Sequence, residues 1–128
     1  LRPHSGRLSV LRRLEHELAG RQVDLVVSDL SPNITGIAMV DQARSVHLAE
    51  LALDFCERWL KPGGNLLVKV FQGAGLDEFR AKLTARFMSV VARKPKASRD
   101  RSNELYLLAR TRKPGARTGA REAADAAD

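Results

Sequence analysis

Gly63-Gly64-Asn65-Leu66-Leu67-Val68-Lys69-Val70-Phe71-Gln72-Gly73 is the stretch from which the rest of the chain is read. Its apolar run is bounded by Pro62-Gly63-Gly64 on one side and Gly73-Ala74-Gly75 on the other. A short run of this kind predicts a strand buried on both faces of a parallel sheet. Lys69 lies inside it. An ammonium at that depth carries a heavy desolvation cost unless carboxylates surround it or the strand end opens into a site. Either the lysine has a chemical task, or its stem runs along apolar surface while its head reaches solvent.

Working outward, Val23 to Val27 form a short apolar strand that runs into Ser28-Asp29-Leu30-Ser31-Pro32-Asn33. A polar loop after a buried strand lies at the carboxyl edge of the sheet, where open α/β folds place ligands. A helix is predicted from about Asp41 to Leu60, with Val46, Ala49, Leu53, Cys56 and Leu60 as its buried stripe and Lys61-Pro62-Gly63-Gly64 as its stop. Past the central strand, Leu76 to Ser89 reads as a helix with Leu76, Phe79, Leu83 and Phe87 on one face. Val90 to Lys94 and Glu104 to Arg110 read as strands. The link between them is too short for a helical crossover, so they should pair antiparallel. The final strand then starts at the edge where those carrying Asp29 and Lys69 end, and Glu104 is its first residue. At the amino end, Leu8, Leu11, Leu14 and Leu18 predict an amphipathic helix over Arg7 to Ala19. Residues 111–128 are too polar and alanine-rich to offset chain entropy and predict a disordered tail.

At 128 residues the chain is one domain at most. Its single cysteine, Cys56, excludes an internal disulfide and is read as a core residue in a reducing compartment. His4, His16 and His47 do not stand at metal-ligand spacing, so no metal is assigned. No stretch is long and apolar enough for a membrane span and nothing resembles a signal peptide, so a cytoplasmic monomer without membrane contact is expected. The net charge of +7 favours a polyanionic partner, nucleic acid foremost. With aromatics at 5% of residues, an extended base-stacking platform is not expected.

Topology therefore brings Asp29, Lys69 and Glu104 to one sheet edge. Two carboxylates flanking an ammonium solve its desolvation problem, fix its orientation and raise its pKa. A catalytic site and a structural ion-pair network both fit these residues. Gly73-Ala74-Gly75 lacks the third glycine of a dinucleotide fingerprint, since Glu78 stands there, and reads as a helix-capping turn. Asp29-Leu30-Ser31-Pro32 faintly resembles the acidic-proline motif of amino-group methyltransferases, without the aromatic residue after the proline. Arg93, Lys94, Lys96, Arg99 and Arg101 make a basic run before Glu104, either a solvated loop or cations that hold an RNA backbone.

Ser28-Asp29-Leu30-Ser31-Pro32-Asn33 with Gly36, the Leu60-to-Gly64 turn, Val68-Lys69-Val70-Phe71-Gln72-Gly73, and Arg93-Lys94-Pro95 leading to Ser102-Asn103-Glu104-Leu105-Tyr106 together resemble the FtsJ-like family. These are S-adenosylmethionine-dependent ribose 2′-O-methyltransferases of large-subunit ribosomal RNA, and the resemblance spans Val23 to Ala109. It implies an α/β, Rossmann-like methyltransferase fold whose last strand is antiparallel, and an RNA or ribosomal particle as partner. It further implies Lys69 as proton acceptor for the ribose hydroxyl, Glu104 as the group that positions it, and Asp29 against the methyl donor. The family's first catalytic lysine, glycine-rich turn and cofactor-holding acidic residues have no match in residues 1–22. The expectation is thus the carboxyl-terminal part of a methyltransferase domain over residues 1–110, with the amino-terminal strands missing and little cofactor binding alone. A basic RNA-binding module without enzymatic activity is the alternative.

Overall fold

The structure, a computed structural model, describes residues 21–95 and 103–115. The predicted amino-terminal helix, the tail from residue 116, and Lys96, Arg99 and Arg101 lie outside those residues. Among the described residues six elements follow in order: β1 (Val23–Ser28), α1 (Ala38–Trp59), β2 (Leu60–Phe71), α2 (Leu76–Arg86), β3 (Phe87–Arg93) and β4 (Glu104–Arg112). They form one four-stranded sheet of order β1-β2-β4-β3. β1 runs parallel to β2, while β4 lies antiparallel to both β2 and β3. The helical link between β1 and β2 gives the parallel pair, and the short link between β3 and β4 gives the hairpin.

The central strand does not have two buried faces. Along β2, Leu66, Val68 and Val70 are fully buried, whereas Asn65, Leu67, Lys69 and Phe71 are only partly covered. Both helices pack on the first set: Ala49, Leu53 and Cys56 of α1 and Phe79 and Leu83 of α2 join Leu66, Val68, Val70, Leu107 and Ala109 in one core. Successive strand side chains alternate between faces, so the opposite face carries Leu25 and Val27 exposed on β1. An apolar run thus marked the strand correctly but overstated its cover among the described residues.

Element boundaries shift for local reasons. α1 starts at Ala38, one turn before the predicted Asp41, and Leu60 is already extended as the first residue of β2. Pro62-Gly63-Gly64 lies within β2, where pairing jumps from Val23↔Leu60 to Leu25↔Asn65. A Cβ on Gly64 would come within 2.8 Å of the Asp24 carbonyl oxygen, so only glycine permits this approach of β1 to β2. α2 ends at Arg86 rather than Ser89, and Phe87 is buried from the strand β3 instead of the helix. No glycine or proline marks that change. β4 runs past the predicted Arg110 to Arg112. Thr111 takes a φ of 64°, and its amide donates to Asn65 Oδ1 at 2.8 Å. This turns Arg112 inward, where its guanidinium donates to the carbonyls of Leu60 and Glu57 at the end of α1.

Phe79 ties α2 to the sheet and is wholly buried. Phe79→Ala should lower the unfolding free energy by about 3–5 kcal/mol, read from urea denaturation followed by circular dichroism.

Candidate active site

Side-chain alternation builds the site. Lys69 pairs across β2–β4 with Tyr106, and Phe71 pairs with Glu104. Ser28 pairs with Val68 across β1–β2, so the next residue, Asp29, comes level with Lys69. Asp29, Lys69, Tyr106 and Glu104 therefore share the sheet face turned away from both helices, at its carboxyl edge. Lys69 Nζ stands 3.0 Å from Asp29 Oδ1 and 3.4 Å from Glu104 Oε2. The Tyr106 hydroxyl donates to the same Asp29 oxygen at 2.8 Å. All three predicted residues thus meet at one point. Tyr106 was missed as a site residue, although its place two positions beyond Glu104 on a strand was a usable signal.

Only 12% of the Lys69 side chain is exposed, against 58% for Asp29. Burial is the largest single influence on the Lys69 ammonium and pulls its pKa down. The hydrogen bonds it donates to Asp29 and Glu104, together with their charges, outweigh it and hold the group above the ordinary lysine range. Asp29 is held below the usual carboxylate range, chiefly by the Lys69 hydrogen bond and then by that of Tyr106. Tyr106 is raised in turn by its bond to Asp29. Because the folded lysine pKa is raised, its contribution to stability is present below the unfolded lysine value and is lost as pH rises through the folded one.

The first turns of α1 hold both loops of the site in place. Asp41 accepts from the Thr35 amide at 2.9 Å, the Thr35 hydroxyl at 2.7 Å and the Gly36 amide at 3.2 Å. This pins the segment after Asp29. Gln42 Nε2 donates to the carbonyls of Phe71 at 2.9 Å and Ala74 at 3.0 Å, and Ser45 Oγ accepts from the Phe71 amide at 2.8 Å. These bonds fix the strand end two residues past Lys69. Gly73-Ala74-Gly75 does cap α2: Gly75 is its N-cap with φ 89°, and Leu76 N–H donates to Gly73 O at 3.2 Å. No sequence signal marked Asp41, Gln42 or Ser45, because their roles depend on partners far along the chain.

Of the predicted RNA contacts, Arg93 lies exposed at the end of β3, paired with Tyr106. Lys94 Nζ donates to the Glu104 carbonyl at 3.0 Å, so it closes the site edge. Cys56 is buried in the core and its thiol is pushed up to about 12 by desolvation, which leaves it without nucleophilic use. No helix among the described residues is long and apolar enough to cross a membrane.

The model of the FtsJ-like methyltransferase family matches residues 6–112. Ribosomal RNA large subunit methyltransferase E of Azoarcus sp. (strain BH72) is 63% identical over 100 residues, which are 78% of this chain and 49% of that protein. The protein of the same name from Methylobacillus flagellatus is 60% identical over 99 residues, 77% of this chain and 48% of its own. The chain thus spans about half the length of these curated relatives. A crystal structure of a ribosomal RNA methyltransferase from Plasmodium falciparum superposes with a TM-score of 0.66 at 25% identity, covering 79% of this chain and 53% of that one.

Asp29→Asn removes one of the two anions on Lys69 while burial stays. The Lys69 pKa should then fall below its wild-type value, measured by the 13Cε shift in an NMR pH titration. An unchanged value would mean that Asp29 does not hold the ammonium in solution.

Proposed function

Since the chain belongs to the FtsJ-like methyltransferase family, we propose that its gene product methylates a ribose 2′-hydroxyl, that of a uridine, in large-subunit ribosomal RNA. S-adenosylmethionine is the methyl donor in this reading. The observation that carries it is the Asp29–Lys69–Glu104 cluster at the carboxyl edge of the sheet. We read the four strands as the second half of a Rossmann-like methyltransferase sheet.

When bound, S-adenosylmethionine supplies an electrophilic methyl on a cationic sulfur. Of the residues described, Asp29 would face that positive charge, since its carboxylate is largely exposed and ionised. Lys69 holds the ribose hydroxyl in line for attack, and Glu104 fixes the direction of its Nζ. The hydroxyl proton passes to Lys69 once the lysine has given up its own. With the Lys69 pKa held above the ordinary lysine range that loss is unfavourable at neutral pH, so the reactive fraction grows as pH rises. In this reading Arg93, exposed at the end of β3, would hold a phosphate without reading sequence.

A second reading, a basic RNA-binding module without catalysis, draws on the +7 charge. It predicts RNA affinity that falls steeply with salt and no methyl transfer.

The test is transfer of labelled methyl groups to large-subunit ribosomal RNA by the intact gene product. Lys69→Ala should cut kcat by roughly 10²–10⁴-fold. In the wild type, kcat should climb with pH from 7 through about 10 without a plateau near neutrality. Full activity in Lys69→Ala would remove this mechanism. Titrated by calorimetry, the 128-residue chain alone should show no micromolar affinity for S-adenosylmethionine, because Asp29 is its one residue assigned to the donor. Micromolar binding by a folded chain would place the donor pocket elsewhere.

A further inference from the structure

A cleft of about 480 Å³ opens beside the lysine, lined among others by Ile34, Ala38, Gln42, Phe71, Asn103 and Glu104. That volume lies within the range of small-ligand sites. Among the described residues its charged lining groups are the carboxylates of Asp41 and Glu104, which favour a neutral or hydrogen-bond-donating ligand over an anion. Ile34, Ala38 and Phe71 offer apolar surface to a flat ring. The Asn103 amide and the Glu104 carboxylate can meet polar ring edges, and so can Gln42 Oε1, whose Nε2 neighbour is committed to Phe71 and Ala74. The rim has an unusual exposure: Ile34 is 66%, Ile37 60% and Met39 84% accessible. Large apolar side chains clustered in water mark a surface that meets a partner.

The cleft is joined to the lysine through one residue, since Glu104, which lines it, lies 3.4 Å from Lys69 Nζ. In any ribonucleotide the base is attached to the sugar carbon adjacent to the one bearing the 2′-hydroxyl. A ribose whose hydroxyl meets Lys69 must therefore place its base next door. Arg93 stands apart from the cleft, on the far side of Tyr106.

We propose that this cleft receives the unstacked nucleobase of the nucleotide whose ribose lies at Lys69, and that the apolar rim from Ile34 to Met39 fills the gap left in the base stack. The proposal rests on the ribose reading above. Extruding the reacting nucleotide into a pocket while apolar side chains replace it in the stack is a general solution for enzymes that must reach an atom inside folded nucleic acid.

The experiment compares two RNA hairpins that differ at one bulged nucleotide, uridine in one and an abasic ribose in the other. Binding to the intact gene product is followed by fluorescence anisotropy at two salt concentrations. Wild type should prefer the uridine hairpin by roughly tenfold, the scale of one stacked base. Ala38→Leu, which fills the cleft, should erase that preference without changing affinity for the abasic RNA. Ile34→Ala, at an exposed position, should reduce it severalfold and serves if Ala38→Leu fails to fold. Salt-sensitive binding of both hairpins with no preference, or a preference unchanged in both variants, would overturn the cleft and leave the ribose reading standing. Failure to bind either hairpin would overturn both.

Discussion

An ammonium set inside a sheet strand has to be neutralised, and the site depends on how that is done here. Lys69 is nearly buried and contacts two carboxylates from different segments, Asp29 just past β1 and Glu104 at the start of β4. Removing either anion leaves a desolvated charge with half its compensation, while removing the lysine leaves two carboxylates facing each other. The cluster is therefore a mutual arrangement, and its members come from places as distant in sequence as Asp29 and Glu104. Tyr106 adds a neutral donor on Asp29, which steadies the most exposed member.

Holding three segments in register takes more than the sheet ladder. Asp29 stands just beyond β1, where strand pairing has ended. The start of α1 supplies what the ladder cannot: Asp41 gathers the loop that follows Asp29, while Gln42 and Ser45 clasp the end of β2. One helix end thus positions both loops that frame the lysine. On the other side, Asn103 O accepts from Gln72 N–H at 2.8 Å and carries the β2–β4 pairing one step past Glu104. Each of these bonds satisfies a backbone group that would otherwise lie unpaired near the site, so stability and positioning come from the same contacts.

The two faces of the sheet divide the work. The face under the helices holds the core, whose largest buried side chains are Phe79 and Phe87. Interhelical pairs such as Lys82 with Glu50 at 2.6 Å lie on the outer surface of that layer and bear on helix packing. The opposite face carries the ionisable cluster, and its exposed apolar residues continue from β1 into the loop that rims the cleft. Asp29, Lys69 and Glu104, drawn from three segments, all fall on that second face.

Much of this was legible in the chain. The apolar run around Lys69, the glycines that bound it and the short link before Glu104 determined the strand, the hairpin and the meeting of three charged residues. These features are local, and side-chain alternation along a strand is enough to read them. Helix ends without glycine or proline were not legible: α2 passes into β3 at Phe87 with nothing in the sequence to mark it. Nor could periodicity say how much cover each sheet face has, since an apolar side chain fits a half-buried strand as well as a buried one. Tyr106 on Asp29, Gln42 on Phe71 and Ala74, Arg112 under the end of α1 and the cleft beside Glu104 were decided only by tertiary structure. Each depends on a side chain meeting a group 29 or more residues away, and no spacing within one segment encodes such a meeting.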